Sequence, residues 1–248
     1  MTALEAERDV WDARYRSALT DDGHVVRQRR AGNVMHLPEP IHTMLDVGCG
    51  VGDTVVAWAE RGTAATGIDI SAEAVQCARN ASRTAGCAAK CRFVVSDWDA
   101  LDLDAYGWRG AFDLVFSAMG PDMTEPAALR KMMACSWRYC RLLLFRDGRN
   151  ALAEKVSKRL CIPLPQSPPS GEARILSQLC AYAVSAEDVV YEISFAAHRT
   201  RWRAYLQTLF PAREHAPVLD QIVQEWAADD AQMVVQTEAV YRMLTWRV

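Results

Sequence analysis

The feature that most constrains this chain is the run His42-Thr43-Met44-Leu45-Asp46-Val47-Gly48-Cys49-Gly50-Val51-Gly52-Asp53-Thr54. Its apolar first half reads as a short buried strand. Its glycines read as a turn, and Asp53 or Thr54 as the cap of a following helix. Three glycines at alternate positions permit a tight turn with no Cβ in the way, so a ligand can press against bare backbone. The free N–H groups of the new helix would face the same ligand. The spacing departs from the Gly-x-Gly-x-x-Gly that cradles a dinucleotide pyrophosphate. That departure disfavours a nicotinamide dehydrogenase.

The pattern around this turn alternates strand and helix. After the glycine turn a helix is expected to about Arg61, closed by Gly62. Strand follows over Ala64–Ile70, and Ser71 caps a helix that runs to about Ala85. Further strands are expected over Cys91–Val95, Ala111–Phe116 and Tyr139–Phe145, with a helix over Glu125–Cys135 between the last two. The near-continuous apolar run Leu142-Leu143-Leu144-Phe145 is that of a buried parallel strand, which Arg146-Asp147-Gly148 is expected to end. Together these predict a doubly wound, mostly parallel sheet, with ligand beyond the carboxyl ends of its strands. Asp69 lies at the end of the second strand, where a carboxylate can accept two hydrogen bonds from a ribose diol.

Asp46-x-Gly48-x-Gly50-x-Gly52, followed by Asp69, resembles the first two motifs of the class I S-adenosylmethionine-dependent methyltransferases. The resemblance implies a Rossmann-like, seven-stranded sheet with an N-terminal helical cover and a helical lid insertion, the last two strands forming an antiparallel hairpin. It implies S-adenosylmethionine as cofactor and S-adenosylhomocysteine as product. The glycine turn (Gly48, Cys49, Gly50, Gly52) would lie along the methionine moiety with Asp46 assisting, and Asp69 and Ile70 would hold the ribose. Asp97 would receive the adenine amino group and the Trp98 N–H would meet the ring, with Asp99 the alternative to Asp97. Ser117 and Met119 would line the reaction centre. The family's Asn/Asp-Pro-Pro-aromatic motif is absent after the fourth strand, where Ser117-Ala118-Met119-Gly120-Pro121 stands instead. Trp11-Asp12-Ala13-Arg14-Tyr15 resembles the N-terminal helix of small-molecule methyltransferases, with Tyr15 near the methionine carboxylate. The same residues also read as an amphipathic cover for the sheet.

The flanking segments are more individual. Residues 3–19 are expected to be helical, with Leu4, Trp11, Tyr15 and Leu19 on one face. Val25–Met35 is expected as a second helix carrying Arg27, Arg29 and Arg30. Helices are also expected over Asn150–Leu160, Glu172–Ala183, Thr200–Leu209 and Glu214–Ala228, and strands over Asp188–Ala197 and within Met233–Trp246. Trp202 and Tyr205 are candidates for a lid against the acceptor, with burial in a core as the alternative. His198 and Asp122 are the candidates for a general base.

Length and composition fit one domain over residues 1–248, with 1–40 as cover, 41–147 as cofactor core and 148–248 as lid and sheet completion. A net charge of −3 gives no general attraction to nucleic acid. Arg199, Arg201 and Arg203 are spaced to spread round a helix. No apolar run approaches a membrane span, and a cytoplasmic, soluble protein is expected, with a homodimer as a candidate state. The eight cysteines do not have zinc-site spacing, so no metal is expected. The expected function is methyl transfer to a small-molecule acceptor. Alternatives are methylation of a metalloid such as arsenite, transfer of the cofactor's aminocarboxypropyl group, or a non-catalytic cofactor-binding module.

Overall fold

A computed structural model describes residues 3–20, 25–26, 36–166, 170–227 and 232–248. The elements are α1 (Ala3–Thr20), β1 (Val25–Val26), β2 (Thr43–Val47), α2 (Asp53–Ala59), β3 (Ala64–Asp69), α3 (Ala72–Thr84), β4 (Cys91–Val95), α4 (Leu103–Tyr106), β5 (Phe112–Ala118) and α5 (Pro126–Cys135). They continue with β6 (Ser136–Asn150), α6 (Ala151–Leu160), α7 (Glu172–Gln178), β7 (Ser185–His198), α8 (Arg199–Leu209), α9 (Ala216–Ala227) and β8 (Gln232–Arg247). The sheet order is β1-β7-β8-β6-β5-β2-β3-β4. Strands β2 to β6 run parallel, and β8 inserts antiparallel between β6 and β7. This is the Rossmann-like methyltransferase arrangement of seven strands, with the two-residue β1 added at one edge.

Three expectations change. Val25 and Val26, expected to open a helix, pair instead with Phe195 and Ser194 of β7. Both are β-branched residues that suit a strand edge. Residues 27–35, with their arginines, lie outside the described residues. Strand β6 does not stop at Arg146-Asp147-Gly148. A bulge between Phe145 and Asp147 takes up Arg146, while Asp147 and Gly148 pair with Val240 and Ala239, and pairing with β8 continues to Asn150 opposite Thr237. Helix α7 is shorter than expected, ending at Gln178.

The extension of β6 matters for the site. Strand β5 ends with Ala118 opposite Leu143, so β6, β8 and β7 project well past the ends of the parallel strands. Leu142 and Leu244 bury one face of the sheet, together with Trp98, Leu129 and Ile175. Leu143 and Met243 bury the other, together with Val55, Phe116 and Val189. A third cluster, with Leu152, Trp202, Leu206, Phe210, Leu219 and Val235, packs α6, α8 and α9 against the projecting part. No helix among the described residues is long and apolar enough to cross a membrane.

Candidate functional site

The glycine turn joins β2 to α2 with φ of +76° at Gly48, +52° at Gly50 and +83° at Gly52. Packing within the chain adds to this demand. A Cβ on Gly48 would stand 2.6 Å from Cα of Gly120, and one on Gly52 2.7 Å from Cβ of Ala78. The turn is therefore clamped between α3 and the loop after β5. The N–H groups of Gly48 and Cys49 both donate to the carbonyl of Ile68, at 2.9 and 3.0 Å, which fixes the turn to the end of β3. The Cys49 thiol packs where Gly67 leaves room, since a Cβ there would come within 2.7 Å of its Sγ.

Asp69 continues this anchorage. One carboxylate oxygen accepts from the Gly50 N–H at 2.8 Å and the other from the Ser71 N–H at 2.9 Å. Each oxygen keeps a lone pair for a further donor. Burial raises the Asp69 pKa despite these bonds. Asp46 is more deeply buried, and burial together with the charge of Asp69 pushes its pKa up to about 8. Ser71 caps α3 by accepting from the Ala74 N–H, and its hydroxyl donates to Asp12 of α1. Asp12 also accepts from the Glu73 N–H at 3.3 Å. A carboxylate thus docks α1 on the positive end of α3.

Two cavities meet at the ends of the parallel strands. The first, of about 260 Å³, is bounded by Gly48, Asp69, Ile70, Asp97 and Trp98, with Trp11 of α1 at its side. The second, of about 290 Å³, is walled by Met123, Leu142, Leu144 and Ile175, with Ser117 at its base. Met119 to Asp122 line both. Met119 has φ +52°, a conformation costly for a side-chain-bearing residue, and is 61% exposed. Gly120 lies so close that a Cβ would meet the Val47 carbonyl oxygen at 2.5 Å. The Ser117 hydroxyl donates to the same carbonyl at 2.8 Å and so ties β5 to β2. Hydrogen bonds from the Thr124 hydroxyl and N–H, 2.7 and 2.9 Å, hold Asp122 below the usual carboxylate range.

The structure thus brings Gly48, Asp69, Ile70, Asp97, Trp98, Met119 and Asp122 to one cavity, and Ser117 to its neighbour. Asp46, Cys49, Gly50 and Gly52 shape the turn beneath. The side chain of Tyr15 lies outside the described residues. His198, Trp202 and Tyr205 are not brought to either cavity. His198 pairs with Gln232, nine residues along β8 from Tyr241, the partner of Phe145, or roughly 30 Å of strand. There its ring accepts from the Thr200 N–H and caps α8. Trp202 is 7% exposed in the third core and donates its indole N–H to the Met233 carbonyl. Tyr205 stands beside it, edge to face.

Sequence reasoning gave no role to Glu7, which borders the first cavity, to Asp12, whose partners Ser71 and Glu73 are remote in the chain, or to Lys131, whose partners lie in the loop after β4. None of the eight cysteines borders either cavity, and burial pushes the thiols of Cys49, Cys91, Cys135 and Cys140 up. No group of three or more metal-ligating side chains occurs among the described residues.

Comparison with known proteins agrees with this geometry. Residues 44–141 match the family model described as methyltransferase domain. The (4+2)-cyclase SpnF superposes with a TM-score of 0.54 at 17% identity, over 99% of this chain and 97% of that one. A structure described under the conversion of a disulfide bond into a thioacetal group during echinomycin biosynthesis also gives 0.54 at 17% identity, over 97% and 93%. Both likenesses are of fold. Across residues 44–141, the motif spacing, the sheet order and the family match together show a methyltransferase domain with the class I, Rossmann-like fold.

Proposed function

We propose that the protein transfers a methyl group from S-adenosylmethionine to a small, largely apolar acceptor held in the second cavity. The observation that carries this is the junction of the two cavities at Met119–Asp122, one side bounded by Asp69 and Asp97 and the other by leucines and Ile175.

The residues present fit the cofactor. The spare lone pairs of Asp69 suit a ribose diol, and Asp97 suits the adenine amine. Asp46 suits a neighbouring ammonium, which would favour its ionised form. The bound cofactor supplies an electrophilic methyl group on a sulfonium, which a nucleophile takes by direct displacement. The protein's share is alignment and exclusion of water. Ser117 and Gly120 fix the floor between β2 and β5, Met119 lines the junction of the two cavities, and the apolar walls keep the acceptor dry.

Asp122 is the one ionisable side chain among the described residues of the acceptor cavity. Held ionised by Thr124, it is a weak base, and its charge favours an acceptor that becomes cationic, such as an amine. No thiol borders the cavities, which gives the metalloid reading no support. The fold is shared with a protein named as a cyclase, so fold alone does not specify methyl transfer.

The test is calorimetric titration with S-adenosylmethionine and S-adenosylhomocysteine, followed by methyl-transfer assays on apolar amines, phenols and thiols. Binding of both, with methylated product from one acceptor class, is expected. Absence of binding in folded protein overturns the reading. Binding without product from any class points to the non-catalytic module.

A further inference from the structure

We propose that Lys131 of α5 is a positioning residue for the adenine end of the first cavity. This rests on the cofactor reading above and goes beyond it, because Lys131 touches neither cavity. Its ammonium donates to three carbonyls of the loop after β4, those of Trp98 (2.9 Å), Asp99 (2.7 Å) and Leu101 (3.0 Å). Three carbonyl dipoles turned toward one point repel each other, and a cation at that point holds them there. The loop is held by α5 a second time, through the Trp98 indole N–H and the Ala128 carbonyl at 3.4 Å.

The link to the cavity is one peptide unit. The carbonyl of Trp98 and the N–H of Asp99 belong to the same planar amide and point in opposite directions. On one side the amide accepts from Lys131, and on the other it donates to the Asp97 carboxylate at 3.1 Å. Hydrogen bonds in series polarise one another. Lys131 therefore both orients and strengthens the donor that fixes Asp97, the carboxylate that borders the cavity. The lysine sets how sharply the site distinguishes an amine-bearing base from one without the amine.

The experiment measures binding of S-adenosylhomocysteine and of its inosine analogue, in which a carbonyl replaces the adenine amine. The proteins are wild type, Lys131→Met, Lys131→Gln and Lys131→Arg. Wild type is expected to prefer the adenine form. Lys131→Met is expected to weaken that form about ten-fold, the scale of one charge-assisted hydrogen bond, while the inosine analogue changes little. Lys131→Arg should restore part of the preference. Unchanged preference in folded Lys131→Met overturns the proposal, as does equal weakening of both ligands, which a merely structural role would give. Should Lys131→Met not fold, Lys131→Gln is read by the same criteria. Failure of wild type to bind either ligand overturns the cofactor reading itself, a separate result from an unaltered selectivity.

Discussion

Two buried carboxylates side by side are costly, and Asp46 carries most of that cost. Its pKa rises from 3.8 to about 8 on folding, through burial first and then the charge of Asp69. A raised acid pKa means that the folded state holds the proton more tightly. Stability is then fully present below the unfolded value and is lost as pH rises toward the folded one. Between about pH 4 and 8 this group removes up to about 1.4 kcal/mol per pH unit. Asp46→Asn should gain stability relative to wild type as pH rises from 5 to 8, in urea unfolding at several pH values. A constant difference would mean that Asp46 is ionised in the folded state. The cofactor's ammonium should reverse the balance, so that binding at pH 7 releases a proton, visible as a calorimetric enthalpy that varies with buffer. Gly120 is a second residue-level constraint, because its Cβ would meet a backbone oxygen that cannot step aside. Gly120→Ala should weaken S-adenosylhomocysteine binding by moving the Gly48 contact. An unchanged affinity would show that this loop is free to shift. Asp69 and Asp97 were legible in the sequence because each sits at a strand end, where position alone suggests a role. Lys131 and Asp12 were not, because the helices that carry them announce only a polar face.

At the scale of elements, the alternation from β2 to β6 was readable because each parallel strand is an apolar run closed by turn residues. The outcome for β6 was not, because Arg146-Asp147-Gly148 is a local stop that a remote strand overrides. Once β8 pairs alongside, the ladder hydrogen bonds and the ion pair of Arg146 with Asp188 at 2.8 Å sustain the strand through its bulge. Helix α1 illustrates the same dependence. Its attachment rests on Asp12 at the start of α3, and Ser71 caps α3 without it through the Ala74 N–H. Asp12→Ala should therefore release α1 and leave α3 intact. Hydrogen exchange should quicken across residues 3–20 alone, with a loss of about 0.3–1 kcal/mol in stability. Because Trp11 borders the first cavity, S-adenosylhomocysteine should also dissociate faster. Exchange that quickens equally in α3 would place the cap itself on Asp12.

Across the whole molecule, the projecting part of the sheet separates two tasks that composition alone merges. The aromatic residues of α8 read equally as a lid or a core, because a helix's apolar face does not reveal what it meets. Trp202 meets Leu206, Phe210 and the β8 strand, with Met233 eight residues along from Tyr241, or roughly 27 Å of strand from the level of the second cavity. Truncating a tryptophan in such a core costs about 3–5 kcal/mol. The indole N–H also satisfies the Met233 carbonyl at 3.2 Å, which truncation would leave buried without its donor. Trp202→Ala should thus lower the thermal midpoint substantially. Below that midpoint, S-adenosylhomocysteine should bind the folded variant with wild-type affinity, since nothing that borders its cavity has moved. A parallel measurement on Leu142→Ala, which borders the second cavity, should leave cofactor affinity intact and, on the proposed function, lower turnover of any acceptor found. A fall in cofactor affinity for Trp202→Ala that tracks its loss of stability would instead make the third core part of one cooperative unit with the site. The long antiparallel strands would then carry strain from one end of the sheet to the other.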